Sequence, residues 1–457
     1  MKSVKDSIKS YCRWLACGLL ILSGCVSAPE TIRDVRDLPQ DHAAYLDAEA
    51  ASRELIDTIS QKKLDDDFNV IYFSVWHQKD PFHALPNRVL QDFQKFALRK
   101  GYGENKKHHP ASWIKKLRQN AALPNFPNAR YPGITIRNTN LRVLPTASPH
   151  FYDRDGDAWA WPFDNLQRSS VGVNTPVFVC HLSADKAWAL VETDFTFGWM
   201  PTEDFAAVSP DFIRSWETGR YAVVTRDLSS IVDEDGNFLT QASLGQIFPL
   251  VKDAGQGMEI MVAVSDPAKN AVSRQGRISA EAAAVKPLRF NQVNASRISN
   301  ELIGEPYGWG GMYGRRDCSS MTRDFFRVFG IWLPRHSADQ VKEAGVYIDL
   351  EGLRPEEKEK TILERGVPYL SLLWRRGHVM LYIGQQNGRA LIFHNIWGVR
   401  TKDLRGRDGR MVIGEAVITT LEPGRELRNI DSAAGSLLQN ITAMNILTAP
   451  PDKAAPQ

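Results

Sequence analysis

The sequence predicts an α+β multidomain chain, and three observations carry that prediction. Its 457 residues exceed what one hydrophobic core usually supports. Its hydrophobic spacing is helical in the opening region, changes to short alternating strands from about Ile134, and from Phe290 to about Gly424 mixes helices with strands around a glycine-rich loop. Apolar residues at 43% and charged residues at 24% are those of an ordinary globular protein.

Residues 1–24 have the parts of a secretory signal peptide: a basic start, an apolar run from Trp14 to Leu22, then small residues. Lys2, Lys5, Lys9 and Arg13 against Asp6 give this segment a net +3, the whole formal charge of the chain. The remainder is near neutrality, so charge gives no reason to expect a nucleic-acid partner. The apolar run is short for a membrane span, and nothing later reaches that length. Leu22-Ser23-Gly24-Cys25 resembles the lipobox of bacterial lipoproteins. The resemblance implies cleavage before Cys25, a lipid on its thiol, and a membrane partner through that lipid. Val26 stands where an inner-membrane retention signal would place Asp, which points to the periplasmic face of the outer membrane. Cys12 and Cys17 leave with the leader, so Cys180 and Cys318 are the thiols of the folded body, and no disulfide framework follows.

Residues 25–40 read as a lipid-anchored tether and 41–130 as a helical region, with helices over 41–68, over 85–101 (Val89, Phe93 and Phe96 in phase) and around Trp113 and Leu117. This region is expected to wrap the rest of the protein. Residues 131–208 and 209–287 each carry short strands suited to a small β-barrel. In the first, the clearest strands are Ile134–Val143, Pro176–Leu182, Ala187–Thr193 and Gly198–Pro201. The second has strands near Tyr221–Thr225, Gln246–Leu250 and Glu259–Ser265, with an Asp235-Gly236 turn. Cys180, inside an apolar strand, reads as a buried inert thiol. Residues 288–424 form a further α+β unit, and 425–457 a partly disordered C-terminal extension. There is no nucleotide loop, CxxC pair or HExxH helix, so no metal or cofactor is expected. His108-His109 reads as a solvated pair.

The chemistry concentrates in Glu305-Pro306-Tyr307-Gly308-Trp309-Gly310-Gly311 and Asp317-Cys318-Ser319-Ser320, followed by Met321, Phe325, Val328 and Phe329 at helical spacing. Asp317 is a natural N-cap, which places Cys318 in the first turn, where amides and helix dipole favour a thiolate. A depressed thiol pKa and a raised one on a partner imidazole are the expectation. His378 opens an alternating strand, and Ala390–His394 ends the next one after Asn387-Gly388. A two-residue Asn-Gly turn would send the histidines to opposite faces. A three-residue loop Gln386-Asn387-Gly388 would set His378 opposite Ile396, diagonal to His394 on one face. The three-residue loop is preferred because it makes chemical sense. Either histidine alone would read as an ordinary strand residue.

Residues 305–397 resemble the NlpC-type cell-wall peptidases, a papain-like family with circularly permuted order. Tyr307…Trp309-Gly310-Gly311, Asp317-Cys318-Ser319-Ser320, Leu333-Pro334-Arg335-x-Ser337-x-x-Gln340, Gly377-His378-Val379-x-Leu381-Tyr382-Ile383-Gly384 and His394 carry the resemblance. It implies that Cys318 is the nucleophile, His378 the general base and His394 its orienting partner, with Tyr307 beside the thiol and an oxyanion site made with the Cys318 amide. The leader, helical wrap and two barrels resemble a lipoprotein subgroup of that family with two bacterial SH3-like barrels. Tyr72-Phe73-Ser74-Val75-Trp76 and Pro162-Phe163-Asp164-Asn165-Leu166-Gln167 resemble its earlier domains. The implied fold is a helical wrap, two SH3-like β-barrels and a papain-like α+β catalytic domain. The implied activity is hydrolysis of the γ-D-glutamyl–L-diamino acid bond of peptidoglycan stem peptides, by a monomer. Asp317, Ser319 and Ser337 would lie beside the substrate, with Asp164 as an acid supplied by the first barrel. His336 departs from the family pattern, which has Asp or Thr there. An amidase or acyl-transfer activity on the same fold, and a non-catalytic wall-binding lipoprotein, are the alternatives.

Overall fold

The computed structural model describes residues 31–47, 49, 51–154, 160–342, 345–403, 405–431 and 433–448. The leader and Cys25 lie outside the described residues. No helix among those described is long and apolar enough to cross a membrane.

A 20-residue helix, Thr58–His77, organises the opening region. Asp57 caps it, its side chain accepting from Ser60 N at 2.9 Å. The helix expected over 41–68 is therefore displaced: a short 3-10 turn, His42–Tyr45, precedes the cap. The buried face of Thr58–His77 touches every later part of the chain. Trp76 Nε1 donates to Gly133 O at 2.6 Å, Gln61 Nε2 donates to Phe329 O at 3.0 Å, and Lys286 forms a buried ion pair with Asp65. The helical region thus wraps both sheets and the C-terminal unit. Pro86–Leu98 buries Val89, Phe93 and Phe96, the residues that share a phase in the sequence. His109 is not a solvated residue: its ring stacks on Trp113, centroids 3.6 Å apart.

Two seven-stranded antiparallel sheets follow, one between Tyr131 and Ala207, the other between Tyr221 and Val285. The strand expected over Ile134–Val143 is two strands, Tyr131–Thr135 and Thr139–Arg142. Pro176–Leu182 forms as expected, with Cys180 fully buried in it. Buried apolar side chains of both sheets join those of the helical region and the C-terminal unit in one continuous core.

The C-terminal unit packs helices against a six-stranded antiparallel sheet in the order Val346–Asp349, Ala443–Ile446, Ser371–Arg375, His378–Gln386, Arg389–Lys402, Asp408–Thr420. Two expectations about the ends of the chain are corrected. The stretch after 425 is not an appendage, because Ala443–Ile446 is an interior strand and Leu437, Leu438 and Ile441 are buried. Residues 31–40 are not a free tether either. Asp34 accepts from Thr420 N at 2.8 Å, and Gln40 both donates to and accepts from the Ile418 backbone. Both contacts cover the open edge of strand Asp408–Thr420, which would otherwise present unpaired backbone groups.

Candidate active site

Helix Cys318–Val328 begins with a full capping box. Asp317 Oδ1 accepts from Ser320 N at 2.9 Å, and Asp317 N donates to Ser320 Oγ at 2.9 Å. The cap fixes Cys318 as the first helical residue. Met321, Phe325, Phe326 and Val328 are buried and hold the helix on the sheet. The thiol is 7% exposed, and its sulfur faces the backbone amides of Val379 and Ser319. The amide of the residue after His378 therefore lies against the nucleophile, and thiol and imidazole share one end of the helix.

The hairpin that presents the histidines differs from the preferred reading. Gln386 pairs with Arg389, which is a two-residue Asn387-Gly388 turn with both residues at positive φ (53° and 75°). A register shift then falls between Tyr382 and Gly384, where Ile383 is the extra residue of a β-bulge. The bulge restores the phase that the turn alone would spoil. Leu381 pairs with Phe393, and continuing that register sets His378 opposite Ile396 and on the same face as His394. His378 itself follows a tight Arg376-Gly377 turn, since Arg375 pairs with His378.

One assignment of protons satisfies every hydrogen bond along this line. Thr419 Oγ1 donates to Thr420 O at 2.8 Å, so toward His394 Nε2, 3.1 Å away, it can only accept. His394 therefore carries its proton on Nε2 and accepts at Nδ1 from His378 Nε2–H, at 2.8 Å. The proton of neutral His378 is on Nε2, and its Nδ1 lone pair is left to serve as a base. Thr419 is part of this line and was not singled out from the sequence, because a threonine in an apolar strand carries no signal of its own.

The charge states differ from the expected ion pair. Burial, reinforced by the Asp317 carboxylate, pushes the Cys318 thiol up to about 12. Burial, with Arg375 nearby, pulls His378 down to about 3. Burial and the neighbouring His378 hold His394 well below its ordinary value. The amides at the helix start favour a thiolate, but they are outweighed by burial and by an anion one residue away. Both shifts favour a resting pair of neutral thiol and neutral imidazole. Tyr307 is also held neutral, by burial and then by Asp317 and Cys318, so its hydroxyl remains a donor.

Asp317 is saturated by protein donors. Burial works to protonate it, but Arg335, the Ser320 amide and the Ser320 hydroxyl bring its pKa down to about 2. Arg335 NH2 donates to Asp317 Oδ2 at 2.7 Å, and Gly310 N to the same oxygen at 3.1 Å. Arg335 NH1 also donates to Ser319 Oγ at 2.7 Å, and its Nε reaches Ser169 of the first sheet at 2.9 Å. Asp317 and Ser319 thus brace the nucleophile helix against the first sheet. Ser337 stands apart at the start of the next helix and accepts from Trp374 Nε1 at 3.4 Å. The exposed His336 makes no hydrogen bond to either catalytic-cleft histidine among the described residues.

Asp164 is a correction. It is 1% exposed and its carboxylate is consumed by Arg142 at 2.7 Å and by the amides of His150 and Leu166, each at 2.9 Å. It anchors the loop rather than meeting a substrate amine. Its carbonyl accepts from Trp309 Nε1 at 3.0 Å, so the loop contacts the cleft through backbone. The approach is close enough to require Gly311: at φ +85° a Cβ there would lie 2.2 Å from Ser170 Oγ. Arg316, also missed in the sequence, is buried between Glu305 at 3.0 Å, Asp324 at 2.9 Å and Asp227 of the second sheet at 2.9 Å.

The open part of the site is a cavity of about 180 Å³ walled by Tyr307, His378 and Trp397 on one side and by Phe163 of the first sheet's loop on the other. A thiol at a helix start, an imidazole on the adjoining strand and a second imidazole that orients it define a cysteine-hydrolase centre. Residues 304–407 match the NlpC/P60 family, residues 14–126 the NLPC_P60 stabilising domain (N term), 149–201 an SH3 domain of SH3b1 type and 209–253 an SH3 domain of SH3b2 type. By these matches the C-terminal unit is an NlpC/P60 cysteine-peptidase domain, preceded by the NlpC/P60 stabilising domain and two SH3b domains. A solved NlpC/P60 endopeptidase from Photobacterium damselae subsp. piscicida is 25% identical, with a TM-score of 0.81 over 90% of this chain and 98% of that one. An NlpC/P60 family protein from Bacillus cereus ATCC 10987 is 17% identical, with a TM-score of 0.41 over 62% of this chain and 83% of that one. No curated protein matches the chain.

Proposed function

We propose that the chain hydrolyses the γ-D-glutamyl–L-diamino acid bond of bacterial peptidoglycan stem peptides, with Cys318 as nucleophile, His378 as base and His394 as orienting group. The observation that carries the reading is the line of hydrogen bonds from Thr419 through His394 to His378, which leaves Nδ1 of His378 basic at the end of the helix that bears Cys318. The sulfur attacks the scissile carbonyl as its proton passes to Nδ1. The oxyanion is met by the Cys318 amide and the Tyr307 hydroxyl. Collapse forms a thioester and releases the amine, which takes the proton back from Nδ1. Water, deprotonated by the same nitrogen, then cleaves the thioester and regenerates the thiol. The stem peptide is supported by the family and by the SH3b domains, and the γ-D-glutamyl bond by the motifs around Cys318 and His378.

The test is digestion of defined muropeptides, with and without a free L-alanine amine, followed by mass spectrometry. Release of L-alanyl-γ-D-glutamate is expected. Cleavage confined to the lactyl–L-alanine bond would make the enzyme an amidase and overturn the bond assignment.

The same reading places the protein on the periplasmic face of the outer membrane, held by a lipid on Cys25, because Leu22-Ser23-Gly24 precedes that cysteine and Val26 follows it. Cys25→Ser is expected to shift the protein from the membrane to the soluble fraction. Unchanged partition after detergent-free washing would refute the anchor.

A further inference from the structure

Helix Pro86–Leu98, helix Trp113–Ala121 and the loop between them border a second cavity, of about 490 Å³, that shares no lining residue with the catalytic one. Its volume falls within the range of small-molecule sites, roughly 300–1,000 Å³. Phe93, Phe96, Trp113 and Ile114 give it an apolar wall. His150 reaches it from the first SH3b domain and stands edge-on to Phe96, ring centroids 5.0 Å apart. The imidazoles in the wall bring no charge near neutrality. Burial pulls His150 down to about 4 and holds His109 below its ordinary value. His109 Nε2 donates to Pro149 O at 3.0 Å, which ties the loop to the same domain.

The charge sits on the rim. Arg99, Lys100, Lys115 and Arg118 line the cavity and are exposed. Among the described residues no acidic side chain lines it, and no carboxylate forms an ion pair with any of the four. Residues 95–118 hold eight lysines and arginines against one acid, Glu104, a net +7 in a chain whose total is +3. A solvated basic surface needs no apolar cavity at its centre. Like charges gathered around one volume repel, and an anion placed among them offsets that cost. Leu98, next to Arg99, is 89% exposed at the end of its helix.

We propose that this cavity binds an anionic phospholipid, with an acyl chain against Phe93, Phe96, Trp113 and Ile114 and the phosphate on the four cations. The inference goes beyond the hydrolytic reading and is independent of it. A free inorganic anion would leave the aromatic wall bare, and a neutral amphiphile would leave the cations unmatched. The guanidinium forks of Arg99 and Arg118 suit phosphate oxygens, while Lys100 and Lys115 add point charge. Arg99 is already held over the Tyr152 ring, 4.2 Å from its centroid, a contact that consumes no N–H donor. A lipid surface would also cover Leu98, which a single free fatty acid in the cavity would not.

The experiment is calorimetric titration of the full chain carrying Cys25→Ser, so that no lipid of its own competes for the cavity. The probes, each below its micellar concentration, are dihexanoylphosphatidylglycerol, dihexanoylphosphatidylcholine, hexanoate and inorganic phosphate. The phosphatidylglycerol is expected to bind at least tenfold tighter than any of the others. Lys115→Gln together with Arg118→Gln should remove its advantage over the phosphatidylcholine. Ala97→Trp should fill the cavity and weaken it at least tenfold while every cation stays in place. All three positions are exposed, and a thermal melt confirms that each variant is folded. Equal affinity for the two phospholipids would overturn the anionic head, and phosphate binding as tightly as the phosphatidylglycerol would overturn the acyl chain. Hexanoate binding as tightly would make the ligand a carboxylate and overturn the phospholipid. Affinity unchanged by Ala97→Trp would overturn the cavity as the site.

Discussion

Cys318→Ala is expected to reduce turnover of a cleaved stem peptide by at least about 10⁴-fold, to the background that binding and the oxyanion donors alone can sustain. His378→Ala removes the group that takes the thiol proton and should cost about as much. His394→Ala should cost less, about 10²-fold to 10³-fold, since that ring holds His378 in one tautomer without touching the substrate. Thr419→Val leaves His394 able to flip its proton to Nδ1 and should cost about tenfold, with Thr419→Ser restoring the rate. This gradient follows distance from the transferred proton along a line of 2.8 and 3.1 Å contacts. The measurements are kcat from product chromatography and a thermal melt of each variant. The melt matters because His394 is fully buried and its loss leaves a void. Wild-type turnover in a folded Cys318→Ala protein would end the cysteine-peptidase mechanism for this chain.

The sequence made the nucleophile legible because its signals are local. A capping aspartate, a cysteine and an apolar stripe at helical spacing need no partner from elsewhere in the chain. The histidine hairpin was legible in outcome but not in device. The demand that both imidazoles share a face agrees with the 2.8 Å contact between them, yet the loop was given the job that a β-bulge at Ile383 performs. Isoleucine in a strand carries no mark of a bulge, whereas Asn-Gly does mark a two-residue turn, and the turn signal was the more reliable of the two.

What remained illegible was non-local. Asp164 drew attention as an acid near the cleft, but its task depends on Arg142 and on two amides folded around it. Arg335 joins the nucleophile cap to Ser169, 166 residues earlier in the chain, and nothing in a single sequence pairs them. The residues after 425 read as a partly disordered extension, and the four-residue strand Ala443–Ile446 inside them was too short to stand out. Charge states were misjudged for a related reason. The position of Cys318 at a helix start is local and visible, but its burial and the fixed ionisation of Asp317 come from the assembled site.

That last difference yields a large and directional effect. Cys318 is expected to resist iodoacetamide at neutral pH, because alkylation requires the thiolate and burial pushes the thiol up to about 12. An ordinary thiol with pKa about 8.5 is roughly 3% ionised at pH 7, whereas one near 12 is ionised at about one part in 10⁵. The labelling rate should therefore fall about a thousandfold or more below that of a free thiol, and rise about tenfold per pH unit up to pH 9 without a plateau. Turnover should behave differently, since the substrate carbonyl draws the proton directly from sulfur to Nδ1 of His378. That step needs neutral imidazole, present above about 3, and protonated thiol, present below about 12, so kcat/KM should be flat across pH 6 to 9. The acid limit is set by folding. His378, with His42 also near 3, stays neutral in the native state while the unfolded chain takes up protons below about 6.5. Stability is therefore fully present above 6.5 and declines as pH falls toward 3, and activity below pH 6 should be lost in step with the melt. The decisive measurement is site-assigned labelling by mass spectrometry from pH 5 to 9 beside kcat/KM on the same samples. A labelling plateau that persists below neutrality would mean a resting thiolate–imidazolium pair and would refute the neutral pair.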